Sequence, residues 1–384
     1  MKRAKILITI DWFLPGTASG GPVRSYTNLI EHLKDDFEFY IITRNTDYGS
    51  NTPYQNIIPN TWTPFNAYTK IYYISTTELN KSHLKQIINT VQFDIAYING
   101  IYSWYFSILP ILLLKKMQKP IIVSARGMLN PQAFSVKGKK KKVFLTLSKI
   151  LGFYNKVSFH ATNRDEALHI KNKINKKANV TIAPNLPRKV QHQFQHKTTK
   201  QEPVRFVNIA RISVEKGTLT LLEVLKFIKQ PLVLHLYGAI HDLSYWKACE
   251  TIISQLPKYI EVVYKGVVPS EDVPKTLRQY DYFTMLSEGE NFGHAILEAF
   301  SAGLPVLISN RTPWTKLEAQ GLGWDVDISN QNDIIKVFNK ALEISDAVYS
   351  SWSKASINYA KDFINNPKVL EQNKVLFLNA IKNQ

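Results

Sequence analysis

The sequence predicts an α/β protein made of two doubly wound domains, each a parallel sheet covered by helices. Three observations carry this. The chain has 384 residues, too many for one ordinary core, so two domains of about 150–200 residues each are expected. Short apolar runs of strand length alternate with helical patterns, as a sheet buried on both faces requires. The alternation lapses over residues 188–203, a polar and basic stretch without apolar period, and then restarts.

Composition narrows the class. The hydrophobic fraction of 45% and charged fraction of 20% are those of an ordinary globular protein. The single cysteine, Cys249, excludes a disulfide framework or a cysteine-based metal cluster and fits a reducing cytoplasm. Lys2, Arg3 and Lys5 precede an apolar run, but Asp11 ends that run too early for a signal peptide. The most lipid-like segment, Ile101–Leu114, contains Pro110 and is too short to span a bilayer as a helix. The net charge of +18 points to an anionic partner: phosphorylated ligand, membrane surface or nucleic acid. Against nucleic acid, the lysines are spread over several segments, and no helix-turn-helix, zinc or RNA-recognition motif is present.

The first domain opens with a strand at Ala4–Ile10, a glycine-rich loop ending in Gly20-Gly21-Pro22, and a helix from Val23 to Leu33. Strand, glycine-rich loop and helix is the layout of a phosphate cradle, although the spacing matches neither G-x-G-x-x-G nor a Walker A loop. A flexible crossover would look the same. Phe37–Thr43 reads as a strand, and residues 44–69, rich in Asn, Thr, Pro and Tyr, as a long loop. Strands follow at Lys70–Ile74, Phe93–Ile98 and Pro120–Ser124, with helices at Glu78–Val91 and Ser103–Met117 between them. The run Ser124-Ala125-Arg126-Gly127-Met128-Leu129-Asn130-Pro131 then leaves the carboxyl end of a strand, where open α/β sheets bind ligands. Lys137–Lys142, a run of lysines broken only by Gly138, leads into the apolar Val143–Leu151. It is either an element for an anionic membrane surface or a solvated face on a core helix. Strands at Val157–Thr162 and Val180–Ala183 close this half, and Pro184-Asn185-Leu186-Pro187 stops regular structure.

The second domain restarts with a strand at Val204–Ala210, the loop Arg211-Ile212-Ser213-Val214-Glu215-Lys216-Gly217 and a helix at Thr218–Phe227. Strands follow at Leu232–Tyr237, Ile260–Tyr264, Tyr280–Met285 and Leu304–Ile308, with a helix at Ser244–Leu256. The last helix, about Val369–Ile381, is amphipathic and is expected to fold back onto the first half. The expected division is 1–187, a linker at 188–203, a domain at 204–355, and C-terminal helices at 356–384 returning to the first domain.

Chemistry concentrates in two runs. Arg211 and Lys216 follow the second domain's first strand, where an arginine fork and a lysine point charge would suit a diphosphate. Surface ion pairs with Glu215 or Glu223 are the alternative. The second run is Ser287-Glu288-Gly289-Glu290-Asn291-Phe292-Gly293-His294, continuing through Glu298 to Gly303 and Pro305. A helix starting near Gly293 offers free N–H groups to an anion. Glu298 can accept two hydrogen bonds from the vicinal hydroxyls of a ribose. Eight residues on one helix would leave Glu290 and Glu298 about 80° apart, so both can face one ligand only if Glu290 lies in the loop. A solvated charge at a helix start is the plainer reading of either.

The run from Glu290 through Glu298, Ala299, Gly303, Pro305 and Val306 resembles the signature of family 4 retaining glycosyltransferases, group 1, of GT-B fold. Arg211–Gly217 resembles their second signature, in the correct order and separation. The resemblance covers the second half well. In the first half it rests on Gly20-Gly21, Ser124–Pro131 and Pro184-Asn185. It implies two Rossmann-like domains facing each other across a cleft, with the acceptor side in the first domain and the nucleotide sugar in the second. Arg211, Lys216 and the Asn291-Phe292-Gly293-His294 backbone would bind the donor diphosphate, Glu298 the ribose and Glu290 the donor sugar. The Gly20-Gly21 loop would face donor and acceptor. Related sequences often carry a donor-contacting histidine before Gly-Met-Leu, and here Arg126 stands in that place. Arginine cannot be a general base near neutral pH, but it can hydrogen-bond a sugar or phosphate oxygen. Glu290 and Arg126 are the expected catalytic positions.

The expected activity is therefore a metal-independent hexosyltransferase, with no cofactor beyond a nucleotide-sugar co-substrate, UDP- or GDP-linked. Its expected acceptor is a growing glycan on polyprenyl diphosphate, in surface polysaccharide assembly (O-antigen of lipopolysaccharide, capsule or exopolysaccharide). The expected location is the cytoplasm, peripheral at the inner face of the cell membrane. A nucleotide-sugar epimerase or a phosphorylase would use the same fold, and a basic nucleic-acid-binding protein is the remote alternative.

Overall fold

A computed structural model describes residues 3–131, 134, 138–189, 194 and 196–382. The chain divides into two compact units, Met1–Lys189 with Asn366–Gln384, and Val190–Asn365.

Unit 1 begins β1 (Ala4–Thr9), α1 (Gly21–Leu33), β2 (Phe37–Arg44), β3 (Trp62–Asn66), β4 (Thr69–Ile74) and α2 (Lys81–Asn89). It continues β5 (Ile95–Asn99), α3 (Leu109–Lys116), β6 (Ile121–Ser124), α4 (Gly138–Ile150), β7 (Ser158–Ala161), α5 (Arg164–Lys173) and β8 (Asn179–Ile182). The strands form one sheet in the order β3-β4-β2-β1-β5-β6-β7-β8. Every neighbouring pair is parallel except β3 with β4. The central strands are largely apolar, as β5 (Ile-Ala-Tyr-Ile-Asn, all buried) illustrates, because helices cover both faces.

Two expectations change here. Residues 44–69 are not all loop: β3 lies within them as an antiparallel edge strand, with its register broken between Pro64 and Asn66. Pro64 has no N–H to donate, so the strand can sit only at an edge, and its proline hid it in the sequence. The helix expected at Ser103–Met117 opens instead as a wide π-type turn at Trp104–Ile108, with Ile108 N–H donating to Ser103 O at 2.8 Å, before α3 begins around Pro110.

Unit 2 runs β9 (Val204–Ile209), α6 (Thr218–Leu225), β10 (Leu232–Tyr237), α7 (Leu243–Ser254), β11 (Ile260–Tyr264), α8 (Val273–Leu277) and β12 (Tyr282–Met285). Then come α9 (His294–Ser301), β13 (Val306–Ser309), β14 (Gly323–Val326), α10 (Gln331–Glu343) and α11 (Asp346–Ile364). Its sheet is wholly parallel, ordered β11-β10-β9-β12-β13-β14. The sequence reading did not anticipate β14. The strand is short and starts at Gly323, where any Cβ would stand 2.0 Å from the Val306 carbonyl oxygen.

Both boundaries between the units differ from expectation. α11 is one helix across position 355, and its Tyr349, Ile357 and Ala360 are buried, so unit 2 ends at Asn365 rather than 355. Only α12 (Pro367–Lys382) belongs to unit 1. There Phe377 packs on Phe37 at 5.5 Å and Tyr97 at 5.2 Å, and Asn373 donates to the Pro184 carbonyl at 2.9 Å. The end of the expected linker is strapped onto unit 2. Lys197 lies 3.7 Å from buried Asp281, and Lys200 donates to the carbonyls of Leu342 (2.7 Å) and Ile344 (2.6 Å) at the C-terminal end of α10.

Candidate functional site

In unit 2 the chain leaves β9 on one side for β10 and β11, then returns on the other side for β12, β13 and β14. The connections diverge between β9 and β12, the position at which open α/β sheets form ligand crevices. Both chemistry-bearing runs leave the sheet there, Ala210–Gly217 after β9 and Leu286–Gly293 after β12.

Backbone packing locks the two loops together. A Cβ on Gly217 would stand 1.9 Å from the Leu286 carbonyl oxygen, and the residue has φ +68°, so glycine is required twice over. Glu288 N–H donates to Glu215 O at 2.9 Å, and Glu290 N–H to Arg311 O at 3.0 Å. Arg311 pairs with the Glu288 carboxylate, and the Trp314 indole N–H donates to Phe292 O. The Phe292 ring is buried against His294 (4.7 Å), Trp314 (5.5 Å) and Phe363 (5.8 Å). It is a core wedge that fixes the loop, so any direct part it has in binding falls to its backbone.

Glu290 lies in the loop before α9, and its carboxylate forms an ion pair with Lys216 across the junction. The side chains are only 19% (Lys216) and 12% (Glu290) exposed, so each shields the other from water. Arg211 pairs with Glu215 at 3.2 Å, but those side chains are 30% and 53% exposed. Such a pair contributes about 0–1 kcal/mol and exchanges readily for a stronger anion. Glu298 sits half-buried on α9, and Asn291 and His294 are half-buried at its start.

The helices that follow these strands share a feature. α6 follows Gly217 and α9 follows Gly293, both in the left-handed region and neither with a side chain to cap the helix, although in α6 the Tyr245 hydroxyl accepts from the Leu219 N–H at 2.8 Å. By contrast Asn80, Asn163, Asp242 and Ser345 accept backbone N–H bonds at the starts of α2, α5, α7 and α11. An uncapped helix start turns N–H donors and positive dipole toward whatever lies before it.

Unit 1 has its own divergence between β1 and β5. α1 starts there, after Gly20 at φ +73°, without a side-chain cap. A Cβ on Gly20 or Gly21 would meet nothing within 4 Å, so the loop is open. Asp11, at the end of β1, accepts from Ser103 Oγ at 2.8 Å and lies 3.7 Å from Arg44. Burial raises its carboxyl pKa despite the lowering effect of Ser103 and Arg44. Sequence reading passed over Asp11 as the end of an apolar run. Its position after the first strand was the available signal.

Arg126 follows β6 with φ +52°. Its guanidinium donates to Asn185 Oδ1 at 2.5 Å and Tyr97 Oη at 3.0 Å, and lies 4.7 Å from the Tyr26 ring centroid. Glu166, itself buried, accepts from Gly127 N–H at 2.7 Å and from Thr162 N–H (2.7 Å) and Oγ (2.8 Å), which pins the turn. Behind Tyr97, His160 donates from Nε2 to the Ala183 carbonyl at 2.7 Å, because a carbonyl can only accept. Its Nδ1 is then the acceptor for the Tyr97 hydroxyl at 2.6 Å. Burial, and then the Arg126 charge, push the His160 pKa down to about 4. The expected catalytic arginine therefore has both terminal nitrogens engaged within unit 1, where it organises Tyr97 and Asn185, while its buried Nε has no hydrogen-bond partner among the described residues. Tyr26, Tyr97, His160 and Glu166 carried no sequence signal, since buried polar networks leave no periodic mark.

Among the described residues, no group of three or more His, Cys, Asp or Glu is placed to hold a metal ion. No described helix is long and apolar enough to cross a membrane.

Residues 189–362 match the family model for glycosyl transferases group 1. Unit 2 is a group 1 glycosyl transferase domain. Both loops at the β9–β12 divergence belong to it. A sulfoquinovosyl transferase of Arabidopsis thaliana is 32% identical over 101 residues, which is 26% of this chain but only 18% of that protein. Solved structures extend the likeness to the whole chain. Sucrose-phosphate synthase from Thermosynechococcus elongatus aligns at TM-score 0.72 and 15% identity, covering 100% of both chains. Anabaena HepE in complex with UDP-glucose aligns at 0.71 and 14%, covering 98% of this chain and 99% of that one. At such identities the likeness shows the fold, and that fold is GT-B.

Proposed function

We propose that the protein transfers a glycosyl group from a nucleotide sugar to a glycan acceptor, with retention and without a metal. The observation that carries this is the Lys216–Glu290 pair at the β9–β12 divergence, beside the uncapped start of α9 and inside the group 1 domain. Lys216 and Glu290 satisfy each other. A donor diphosphate is a stronger partner for Lys216 and Arg211 than a single carboxylate. Transfer of Lys216 to the diphosphate frees Glu290 to accept hydrogen bonds from the donor sugar's hydroxyls, while Glu298 accepts from the ribose. As the bond from sugar to diphosphate breaks, negative charge grows on the leaving oxygen. Lys216, Arg211 and the N–H groups from Asn291 to His294 are fixed before that charge develops, which is what lowers the barrier.

A uridine or guanosine diphosphate sugar is the proposed donor, and HepE, with its UDP-glucose, supports the former. The proposed acceptor is a growing glycan on polyprenyl diphosphate, in assembly of a surface polysaccharide such as O-antigen, capsule or exopolysaccharide. The enzyme would then work from the cytoplasm at the inner membrane face. A thermal-shift and hydrolysis screen over UDP-, GDP-, ADP- and dTDP-sugars tests the donor site. The expected result is a rise in Tm with one base only, accompanied by slow release of that nucleoside diphosphate. No rise with any of the four overturns the reading.

A further inference from the structure

α4 is apolar on two faces. Leu145 and Ser148 are buried and Phe144 partly so, the latter edge-on to Tyr102 at 5.8 Å, and this face seats the helix on the core of unit 1. The opposite face carries Val143 (59% exposed), Leu147 (52%), Ile150 (74%) and, just past the helix end, Leu151 (77%). Positions i, i+4, i+7 and i+8 form one continuous ridge along a helix. Scattered exposed apolar residues are ordinary, but a ridge of four is not. Lys139, Lys140, Lys142 and Lys149 are exposed around it. The charge is one-sided over a much longer stretch: residues 95–164 contain twelve Lys and Arg and no Asp or Glu.

We infer that this face of α4 docks on an anionic lipid surface, the ridge entering the headgroup boundary and the lysines pairing with lipid phosphates. Two neighbouring explanations fit less well. In a symmetric dimer through the ridge, each lysine rim would meet the other copy's rim, with no carboxylate within residues 95–164 to offset the repulsion. A polyanion such as nucleic acid would use the lysines but leave the apolar ridge in water. A lipid surface takes both, because an in-plane helix binds through buried apolar area and attraction to acidic headgroups together. The sequence joins this role to the lysine run and the apolar Val143–Leu151 that follows it; Lys137 lies outside the described residues, and the exposed ridge supplies the insertion that lysines cannot. The surface stands on the helix itself and holds whichever sugar and acceptor the enzyme uses.

Flotation of the full chain with vesicles tests it, using phosphatidylcholine alone and phosphatidylcholine mixed with phosphatidylglycerol. Wild type is expected to float with the mixed vesicles and stay behind with the neutral ones. The triple variant L147S/I150S/L151S should lose about tenfold or more in partition. Removing Lys139, Lys140, Lys142 and Lys149 as serines should lose about fivefold per lysine, with the remainder insensitive to salt. All these positions are exposed, so circular dichroism and thermal melts should match wild type. Failure of wild type to float with anionic vesicles overturns the inference. So does a ridge variant that floats like wild type, or one whose only change is dissociation of a dimer in sedimentation.

Discussion

Two cations stand near the carboxyl ends of strands, one in each unit, and the protein treats them in opposite ways. Arg126 in unit 1 donates to two neutral groups, Asn185 and Tyr97, and lies over the face of Tyr26. Among the described residues it forms no ion pair with a carboxylate, and its partners are themselves fixed: Tyr97 by His160, Asn185 by the Pro184–Asn373 anchor beside it. Lys216 in unit 2 is paired, among the described residues, with Glu290, an anion on the facing loop. The first arrangement is a buried network of neutral partners, and removing a bonded member leaves buried groups unpaired. The second is a pair that an incoming anion can divide. A charge is offered to a ligand when its present partner can be exchanged, and mere position at a strand end does not ensure that.

Breaking the exchangeable pair should have the largest effect. Lys216→Ala is expected to lower turnover by about 10²–10³-fold and to weaken donor binding with it, since the proposed role has the lysine on the diphosphate before and during bond breaking. Glu290→Gln should lower turnover more than donor affinity, because its proposed contacts are to the sugar. Steady-state kinetics paired with donor titrations reads both. If the two variants retain wild-type activity, the pair is structural and the contrast with Arg126 disappears.

Arg126→Met should affect stability first. The variant strands Asn185 Oδ1 and removes one of the Tyr97 hydroxyl's partners, which should lower the unfolding free energy by about 2–4 kcal/mol in a urea melt. Arg126→Lys should recover little, because one ammonium cannot reproduce a fork that reaches two acceptors. Donor affinity of the folded fraction should stay within about threefold of wild type. A variant with unchanged stability and lost turnover would instead return Arg126 to the reacting groups.

The alternation of strand and helix, and the two loops after β9 and β12, were legible because they are local. A parallel strand is an apolar run, and Gly217, Gly293 and Glu290 lie within short distances of the strands that present them. The adjacency of those loops was not legible. It follows from sheet order, and nothing in the sequence states that β12 returns to the far side of β9. The place of Arg126 was hidden for a related reason: Tyr26, Tyr97, Asn185 and His160 come from four segments whose meeting depends on the whole sheet. β3 and β14 were missed through Pro64 and Gly323, residues that weaken a strand pattern while fitting an edge or a close backbone approach. The boundary at 355 failed because α11 continues through it without a breaker until Asn365-Asn366-Pro367.

The smallest effect sharpens the comparison most, because it isolates the buried network from any ligand. His160 is held neutral: its Nε2–H is committed to a carbonyl, its Nδ1 to the Tyr97 hydroxyl, and Arg126 lies on the far side of that hydroxyl. Its pKa falls from the ordinary 6.5 to about 4, by burial first and then by the Arg126 charge. Between those values the unfolded chain binds a proton that the folded chain refuses. The stability this group contributes is therefore complete above pH 6.5 and is lost as pH falls toward about 4. Glutamine at position 160 can donate to a carbonyl and accept from a hydroxyl without titrating. His160→Gln should cost about 1–2 kcal/mol at pH 7 and remove part of the slope of unfolding free energy between pH 6.5 and 4. Urea melts across that range read the slope directly. The combined variant with Arg126→Met should not add to it fully, since the two residues act on one hydroxyl. Full additivity would mean that Arg126 and His160 are independent, and that the network is only a set of neighbours.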